Sequence, residues 1–141
     1  MTAVSVTARA VLVSGLICAT AACGTGTADT WREPASYTYT LRSSEGERAL
    51  IGAFRITVRD GTVTKAVGLD DSGRRVVKDN PDAVPTIGQL LDEWEQARRD
   101  GADTAEVEYA ADGHPERITL DWLENAIDDE ALYVVSDFAG K

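Results

Sequence analysis

Hydrophobic and polar positions alternate with a period of two along most of this chain, and one stretch departs from that pattern. In residues 85–101 the apolar positions recur at offsets of three and four, the spacing of one helix face. Thr86 and Gln89 have the spacing of a capping box, and Gly101 suits the left-handed residue that ends a helix. The pattern predicts one amphipathic helix, with an apolar stripe of Ile87, Leu90, Leu91, Trp94 and Ala97.

Alternating runs before the helix predict three antiparallel strands. The first strand has one apolar face made of Tyr37, Tyr39 and Leu41. The second covers residues 48–59, and Gly52 marks an expected bulge in it. Asp60-Gly61 predicts a type I′ turn, because both central residues of that turn need positive φ. The returning strand is expected to place on one face Val63, Lys65, Val67 and Leu69.

The segment between these strands and the helix is predicted to lack helical structure. Residues 70–73 (Asp-Asp-Ser-Gly) favour a turn, and residues 74–84 favour a polar connection with a short strand at residues 75–78. After the helix, a hairpin is expected around the loop at residues 111–115. Its matching faces are Ala105, Val107 and Tyr109 against Ile118, Leu120 and Trp122. A last strand is expected to have on one face Leu132, Val134, Ser136 and Phe138.

These elements predict an α+β fold: an antiparallel sheet of five or six strands with one amphipathic helix packed on one face, in two layers. Hairpins on both sides of the helix favour antiparallel pairing over a βαβ unit. The length of 141 residues suits a single domain, here residues 31–141, preceded by a short extension.

The N-terminal extension has the features of a secretory signal. Arg9 precedes an apolar run at residues 10–17, and small residues follow it up to Cys23. The sequence at residues 20–24 resembles the lipobox of bacterial lipoproteins, although Thr20 stands where leucine is usual. Cys18 is a poorer candidate because Leu16 and Ile17 precede it, and an ordinary signal peptide is the alternative. The expectation is a signal peptide at residues 1–22, acylated Cys23, and a flexible tether at residues 23–30.

Acylation would anchor the chain to the extracytoplasmic face of a cell membrane through the lipid on Cys23. Without residues 1–22 the chain carries 13 Lys+Arg against 24 Asp+Glu, a net charge of −11. Residues 23–78 hold nine basic and seven acidic side chains, whereas residues 79–141 hold four basic and seventeen acidic ones. This balance argues against nucleic acid as a partner, because phosphate binding needs a basic face.

A set of fragments appears in this order along the chain: Trp31, Tyr37-x-Tyr39, Asp60-Gly61, Pro85-Thr86, Val107-x-Tyr109 and residues 126–130 (Ala-Ile-Asp-Asp-Glu). The set resembles a family of small bacterial lipoproteins known only as a domain of unknown function. The resemblance implies a lipid-anchored extracytoplasmic domain and transfers no activity, cofactor or catalytic residue. The layout is also similar to that of small secreted domains that inhibit proteases or β-lactamases, a likeness of architecture alone.

Few residues suggest chemistry. His114, the sole histidine, lies in a Gly-His-Pro loop and is interpreted as an exposed turn residue and not as a general base. With one histidine and no thiol left after acylation, a tetrahedral zinc site is not expected. The acidic segment could offer oxygen ligands to Ca²⁺, or form a solvated turn that pairs with Arg117. The candidate calcium or ligand residues are Asp121, Asp128, Asp129 and Glu130.

The leading functional hypothesis is a non-enzymatic binding or envelope-accessory domain that needs no cofactor. Its acidic second half would meet a cationic protein or a cell-wall component. One alternative is a secreted-type inhibitor of a hydrolase (a protease or a β-lactamase) that presents either a loop or an aromatic sheet face made of Trp122 and Tyr109. The other is a hydrolase that uses a pair of carboxylates, and the sequence nominates no pair for that role.

Overall fold

The computed structural model describes residues 31–126 and 128–141, which form six strands, two α-helices and a short 3-10 helix. The strands are β1 (Ser36–Ser44), β2 (Gly52–Arg59), β3 (Thr62–Gly68), β4 (Thr104–Tyr109), β5 (Pro115–Asp121) and β6 (Glu130–Gly140). The helices are α1 (Asp71–Asp79), the 3-10 helix Pro81–Ala83 and α2 (Ile87–Asp100). The predicted signal peptide, Cys23 and the tether lie outside the described residues.

The six strands form one antiparallel sheet in the order β3-β2-β1-β6-β5-β4, which confirms the α+β class. Because β1 pairs with both β2 and β6, the strands that precede the helices occupy one half of the sheet. The strands that follow the helices occupy the other half. The uneven distribution of charge along the sequence therefore becomes an uneven distribution across the molecule.

The antiparallel order also gives the sheet two distinct ends. The near end, where the described chain begins, holds the start of β1, the β2–β3 turn, the β4–β5 loop and the end of β6. The far end holds residues 45–51, residues 101–103 and the described residues of the β5–β6 loop. Segments at the near end therefore lie close to the predicted tether, and segments at the far end lie one strand length away from it.

Helix α2 has the boundaries and caps that the sequence predicts. The Thr86 side chain accepts a hydrogen bond from the Gln89 N–H at 3.1 Å, and the Gln89 side chain accepts one from the Thr86 N–H at 2.8 Å. Gly101 ends the helix with a φ of 74°. The buried side chains of α2 are Ile87, Leu90, Trp94 and Ala97. The predicted stripe therefore faces the sheet, with Leu91 half-buried at its margin.

The prediction of one helix is wrong, because α1 replaces the turn and short strand expected between residues 70 and 79. Asp70 caps α1 by accepting a hydrogen bond from the Gly73 N–H at 2.7 Å, and this bond chiefly lowers the pKa of the Asp70 carboxyl. The apolar residues Val76 and Val77 are adjacent, so they give no three–four spacing. Without that spacing the sequence carried only a capping residue, which also fits a turn.

Gly52 is needed for helix packing and not for the bulge predicted there. The β1–β2 register continues without a shift from Ser36 to Ser43. A Cβ on Gly52 or Gly68 would clash with the backbone of α1 around Gly73. These two glycines therefore let α1 lie directly on the ends of β2 and β3.

A bulge does occur in β3, and it changes which residues face the core. The pairing with β2 shifts at Thr64, so that Val63 and Ala66 both face inward, opposite Val58 and Ile56. Val67 and Leu69 point to the other side, where they are 42 % and 48 % exposed. The predicted common face of Val63, Lys65, Val67 and Leu69 is therefore wrong, because one extra residue reverses the alternation.

The inward face of β6 also differs from the face singled out in the sequence. Ala131, Tyr133 and Val135 are the buried residues, whereas Leu132, Val134 and Ser136 lie on the opposite side. A register shift near Asp137 then turns Phe138 inward, where its ring centroid lies 5.6 Å from that of Tyr37. Polarity alone could not choose between the two faces, because both faces of this strand are largely apolar.

Both helices cover the same face of the sheet. Helix α1 contacts β2 and β3, and α2 contacts β4 and β5. Between them the central strands contribute the largest fully buried side chains, including Tyr37, Tyr39, Phe54 and Tyr133. No described element packs on the opposite face, which is called the open face below. Among residues 31–126 and 128–141, no helix is both long enough and apolar enough to cross a bilayer.

Candidate functional site

Two tyrosines of β1 fix the position at which α2 begins. The Tyr37 hydroxyl accepts a hydrogen bond from the Ile87 N–H at 2.9 Å, and the Tyr39 hydroxyl donates to the Pro85 carbonyl at 2.6 Å. Tyr37 also donates to the Glu33 carboxylate, which accepts from the Gly88 N–H at 3.3 Å. Burial, and next the hydrogen bond to Glu33, raise the pKa of Tyr37. The Tyr-x-Tyr fragment of β1 and the Pro-Thr fragment before α2 are therefore joined by hydrogen bonds, and this contact is called the joint between β1 and α2 below.

A cleft of about 350 Å³ lies between α2, the 3-10 helix and the loop that joins β1 to β2. Its polar lining consists of Arg48, Asp82, Gln89, Glu93 and Tyr133. Leu50, Pro85 and Leu90 supply apolar walls. A concave surface with a few convergent polar groups has the general form of a small-molecule or side-chain binding site.

Three polar side chains at this cleft bind one another. Arg48 Nη1 lies 3.4 Å from Glu93 Oε1, Arg48 Nη2 donates to the Tyr133 hydroxyl, and that hydroxyl donates to Glu93 Oε2 at 2.7 Å. The guanidinium carbon also lies 4.7 Å from the centroid of the Tyr133 ring. Burial lowers the pKa of Arg48 and raises that of Glu93, and the attraction between the two opposes both shifts. Arg48 Nε is buried without a hydrogen-bond partner among the described residues.

Because burial raises the pKa of Glu93, the stability of the folded protein should depend on pH. The folded-state pKa of Glu93 is raised above its ordinary value of 4.5, so its contribution to stability is complete below that value and is lost as the pH rises through the folded pKa. We expect Glu93→Gln to gain stability relative to the parent as the pH rises above about 4.5, and the gain should be small because the carboxyl is partly solvated. Urea unfolding at several pH values measures this trend.

The matched control is Glu95→Gln, which changes an exposed carboxylate two residues further along α2. Its stability difference from the parent should show no such rise with pH. A Glu93→Gln difference that is equally flat would show that the Glu93 carboxyl titrates as if it were in water.

Three separate loops carry exposed acidic residues at the far end of the sheet. The Glu47 N–H donates to the Asp128 carbonyl at 3.3 Å, which joins the β1–β2 loop to the β5–β6 loop. The Glu124 N–H donates to the Asp103 carboxylate, which joins the α2–β4 turn to the same loop. The exposed acids that these contacts bring to one end are Glu45, Glu47, Asp103, Glu124 and Asp128. These five residues are called the acidic end below.

The four candidate calcium residues all lie near this end of the sheet. Asp121 and Glu130 face each other across the β5–β6 pair, Asp128 is exposed, and Asp129 is half-buried. Within residues 31–126 and 128–141, no group of three or more His, Cys, Asp or Glu side chains is arranged to hold a metal ion. The geometry thus gives no support to the calcium hypothesis, and Arg117 pairs with Glu108 at 3.7 Å.

His114 is not the exposed turn residue that the sequence predicts. Its side chain is 13 % exposed, and its ring stacks on Phe138 with centroids 4.6 Å apart. Its Nδ1 atom forms a hydrogen bond with the Asp112 carboxylate, and this bond fixes the orientation of the ring. His114 therefore packs the β4–β5 loop against the end of β6. The local sequence, Gly-His-Pro, predicts only a turn and does not indicate this contact.

The two aromatic residues of the face predicted for a hydrolase inhibitor are both half-buried. Trp122 is partly buried against the core, and the hydroxyl of Tyr109 is buried. Sequence analysis also missed Arg48, Glu93 and Tyr133, because they lie 40 to 85 positions apart and each is an ordinary residue of its own segment.

Comparison with known proteins gives one match. The model of a family of unknown function, DUF6174, matches residues 27–140 of this chain. No curated protein and no solved structure matches the chain significantly.

Proposed function

The chain belongs to the family of unknown function DUF6174, and from its own geometry we propose that it is a lipid-anchored binding domain on the extracytoplasmic face of the cell membrane. The lipid is carried by Cys23, and residues 24–30 connect it to the fold. The domain binds a cationic partner, a protein segment or a cell-wall component, at the acidic end. It acts without catalysing a reaction.

The observation that carries this proposal is the position of the acidic end. The described chain begins at the near end, beside Ser36, whereas the five exposed acids lie at the other end of the strands. Strands of seven to nine residues separate the two ends by roughly 25 Å. This separation is several Debye lengths at physiological salt, so the acidic end would act on a partner without repulsion from an anionic membrane.

The contacts within the acidic end support a binding surface better than a dispersed solvated one. The β1–β2 loop is joined to the β5–β6 loop by a backbone hydrogen bond, and the α2–β4 turn is joined to it by the bond from the Glu124 N–H to the Asp103 carboxylate, so the three segments that carry these acids are held together. Like charges held close together attract a cationic segment more strongly than the same charges spread over a surface. The Arg48 cleft lies beside them, since Arg48 belongs to the same loop as Glu45 and Glu47.

A short oligolysine peptide is the probe that tests this proposal. We expect the parent chain to bind it at about 50 mM salt and to lose at least about tenfold in affinity at about 500 mM salt. Neutralising the acidic end with Glu45→Gln, Glu47→Gln, Glu124→Gln and Asp128→Asn should weaken binding by about tenfold at low salt. Titration calorimetry or fluorescence anisotropy measures both effects.

The matched control neutralises four exposed acids elsewhere: Asp79→Asn, Asp92→Asn, Glu95→Gln and Glu116→Gln. The net charge changes equally, so this variant should bind within about twofold of the parent. Equal loss in both variants would mean that only total charge matters. Unchanged binding at both salt concentrations would remove charge as the basis of recognition.

A further inference from the structure

The open face of the sheet has a basic region on its β1–β3 half. Register places Arg55 and Arg59 of β2 and Lys65 of β3 on this side, because the neighbouring residues Ile56 and Val58 face the core. All three cations are exposed. These residues are called the basic face, and two acids lie at its border: Asp60 in the adjacent turn, and Asp137, 3.6 Å from Arg55.

Hydroxyl groups and apolar side chains accompany these cations. Between Arg59 and Lys141 lies a depression of about 270 Å³ that is also lined by Ser36, Thr38 and Thr57. Hydroxyl donors beside two cations form a suitable environment for a phosphate oxygen. On the same half of the open face, Val67 and Leu69 are two of the large apolar residues that the described chain leaves exposed.

The chain approaches this region from its N-terminal side. Ser36 begins β1 at the near end, and Ser36 lines the depression itself. If Cys23 is acylated, the residues between it and Trp31 span at most about 28 Å when fully extended. The near end then stays within about 28 Å of the headgroups, so the basic face is able to reach them.

We propose that the basic face lies against anionic phospholipid headgroups of the bilayer to which the chain is anchored. This inference rests on the proposed lipid anchor. Each basic side chain close to an anionic membrane surface strengthens the contact by about fivefold. Arg59 and the depression beside Ser36 would lie closest to the headgroups, because they are at the near end, and the acidic end at the far end of the strands would point away from the membrane. The contact sets the orientation of a domain whose net charge is strongly negative.

The test uses residues 24–141 with an N-terminal hexahistidine tag and Cys23 absent, held on vesicles through a nickel-chelating lipid. This anchoring does not depend on acylation, so failure of the lipoprotein assignment cannot imitate failure of the orientation. An environment-sensitive fluorophore is attached at Thr57→Cys on the open face or at Gln96→Cys on the exposed side of α2. Spin-labelled headgroups in the vesicles act as the quencher.

On phosphatidylcholine vesicles with about 30 % phosphatidylglycerol, we expect the Thr57 probe to be quenched severalfold more than the Gln96 probe. The difference should disappear on pure phosphatidylcholine vesicles and at about 500 mM salt. It should also disappear with Arg55→Gln, Arg59→Gln and Lys65→Gln, but persist with the matched changes Arg74→Gln, Arg75→Gln and Lys78→Gln on α1. Circular dichroism confirms the fold of each variant.

Equal quenching at both positions on the anionic vesicles would overturn the proposal. So would quenching at Thr57 that survives on pure phosphatidylcholine or in the basic-face variant, because the orientation would then not depend on these charges.

Discussion

Replacing Trp94 by alanine is expected to lower the free energy of unfolding by about 3–5 kcal/mol. The side chain is 6 % exposed at the centre of the buried stripe of α2. Its indole N–H donates to the Ala105 carbonyl at 3.1 Å, which ties the helix to β4. Removal leaves a cavity between the two layers and an unpaired carbonyl. Urea unfolding followed by far-ultraviolet circular dichroism measures the loss.

The internal standard for this prediction is Thr86→Ala, which removes the helix cap and should cost only ~1 kcal/mol. Thr86 is the N-cap of the helix that carries Trp94, so both substitutions report on the stability of α2. A smaller loss for Trp94→Ala than for Thr86→Ala would place the indole in solvent and contradict the packing of α2 on the sheet.

The double substitution Tyr37→Phe with Tyr39→Phe is expected to cost about 2–5 kcal/mol. Each hydroxyl binds one backbone group at the start of α2, the Ile87 N–H and the Pro85 carbonyl, and phenylalanine leaves both without a partner. An unpaired buried polar group costs about 1–3 kcal/mol, and neighbouring sites are not strictly additive. Hydrogen exchange should show faster opening of the first turn of α2.

Thr38→Val with Thr40→Val is the matched control, because it removes two hydroxyls from the same strand on the open face. Its cost should stay below ~1 kcal/mol. If the tyrosine pair costs no more than this control, the joint between β1 and α2 does not contribute to stability.

Local signals in the sequence were sufficient for the elements whose ends and faces are marked by residue type. Helix α2 carries a complete capping box, an apolar stripe and a left-handed glycine, and the structure has all of them. Asp60 and Gly61 both have positive φ, as the predicted type I′ turn requires. In these places propensity, pattern and turn chemistry agree.

The errors arose where two structures share one local pattern. Asp70 caps α1, but the run Asp-Asp-Ser-Gly at residues 70–73 equally fits a turn. The bulge at Thr64 reverses the faces of β3 after the third residue, and nothing in the strand's composition marks it. A single shift of register moves every later side chain to the other face.

The candidate site is formed by residues that are far apart in the sequence. No short segment of the sequence indicates that these residues come together. Arg48 meets Tyr133 because the loop that holds Arg48 follows β1, which pairs with β6, and it meets Glu93 because α2 packs on the face of the sheet from which Tyr133 projects. The acidic end likewise combines three loops that are far apart in the chain. The difference in charge between the two halves of the chain was visible in the sequence. The strand order places those two halves on opposite sides of the sheet, so the difference becomes one between two regions of the surface.

The most direct test of the account is the intact mass of the N-terminal peptide of the protein recovered from the membrane fraction of its native host. The account predicts a mature chain that begins at Cys23 and carries acyl groups, and it predicts that Cys23→Ala releases the protein from that fraction. An unmodified Cys23, or a mature terminus at another residue, would contradict the account.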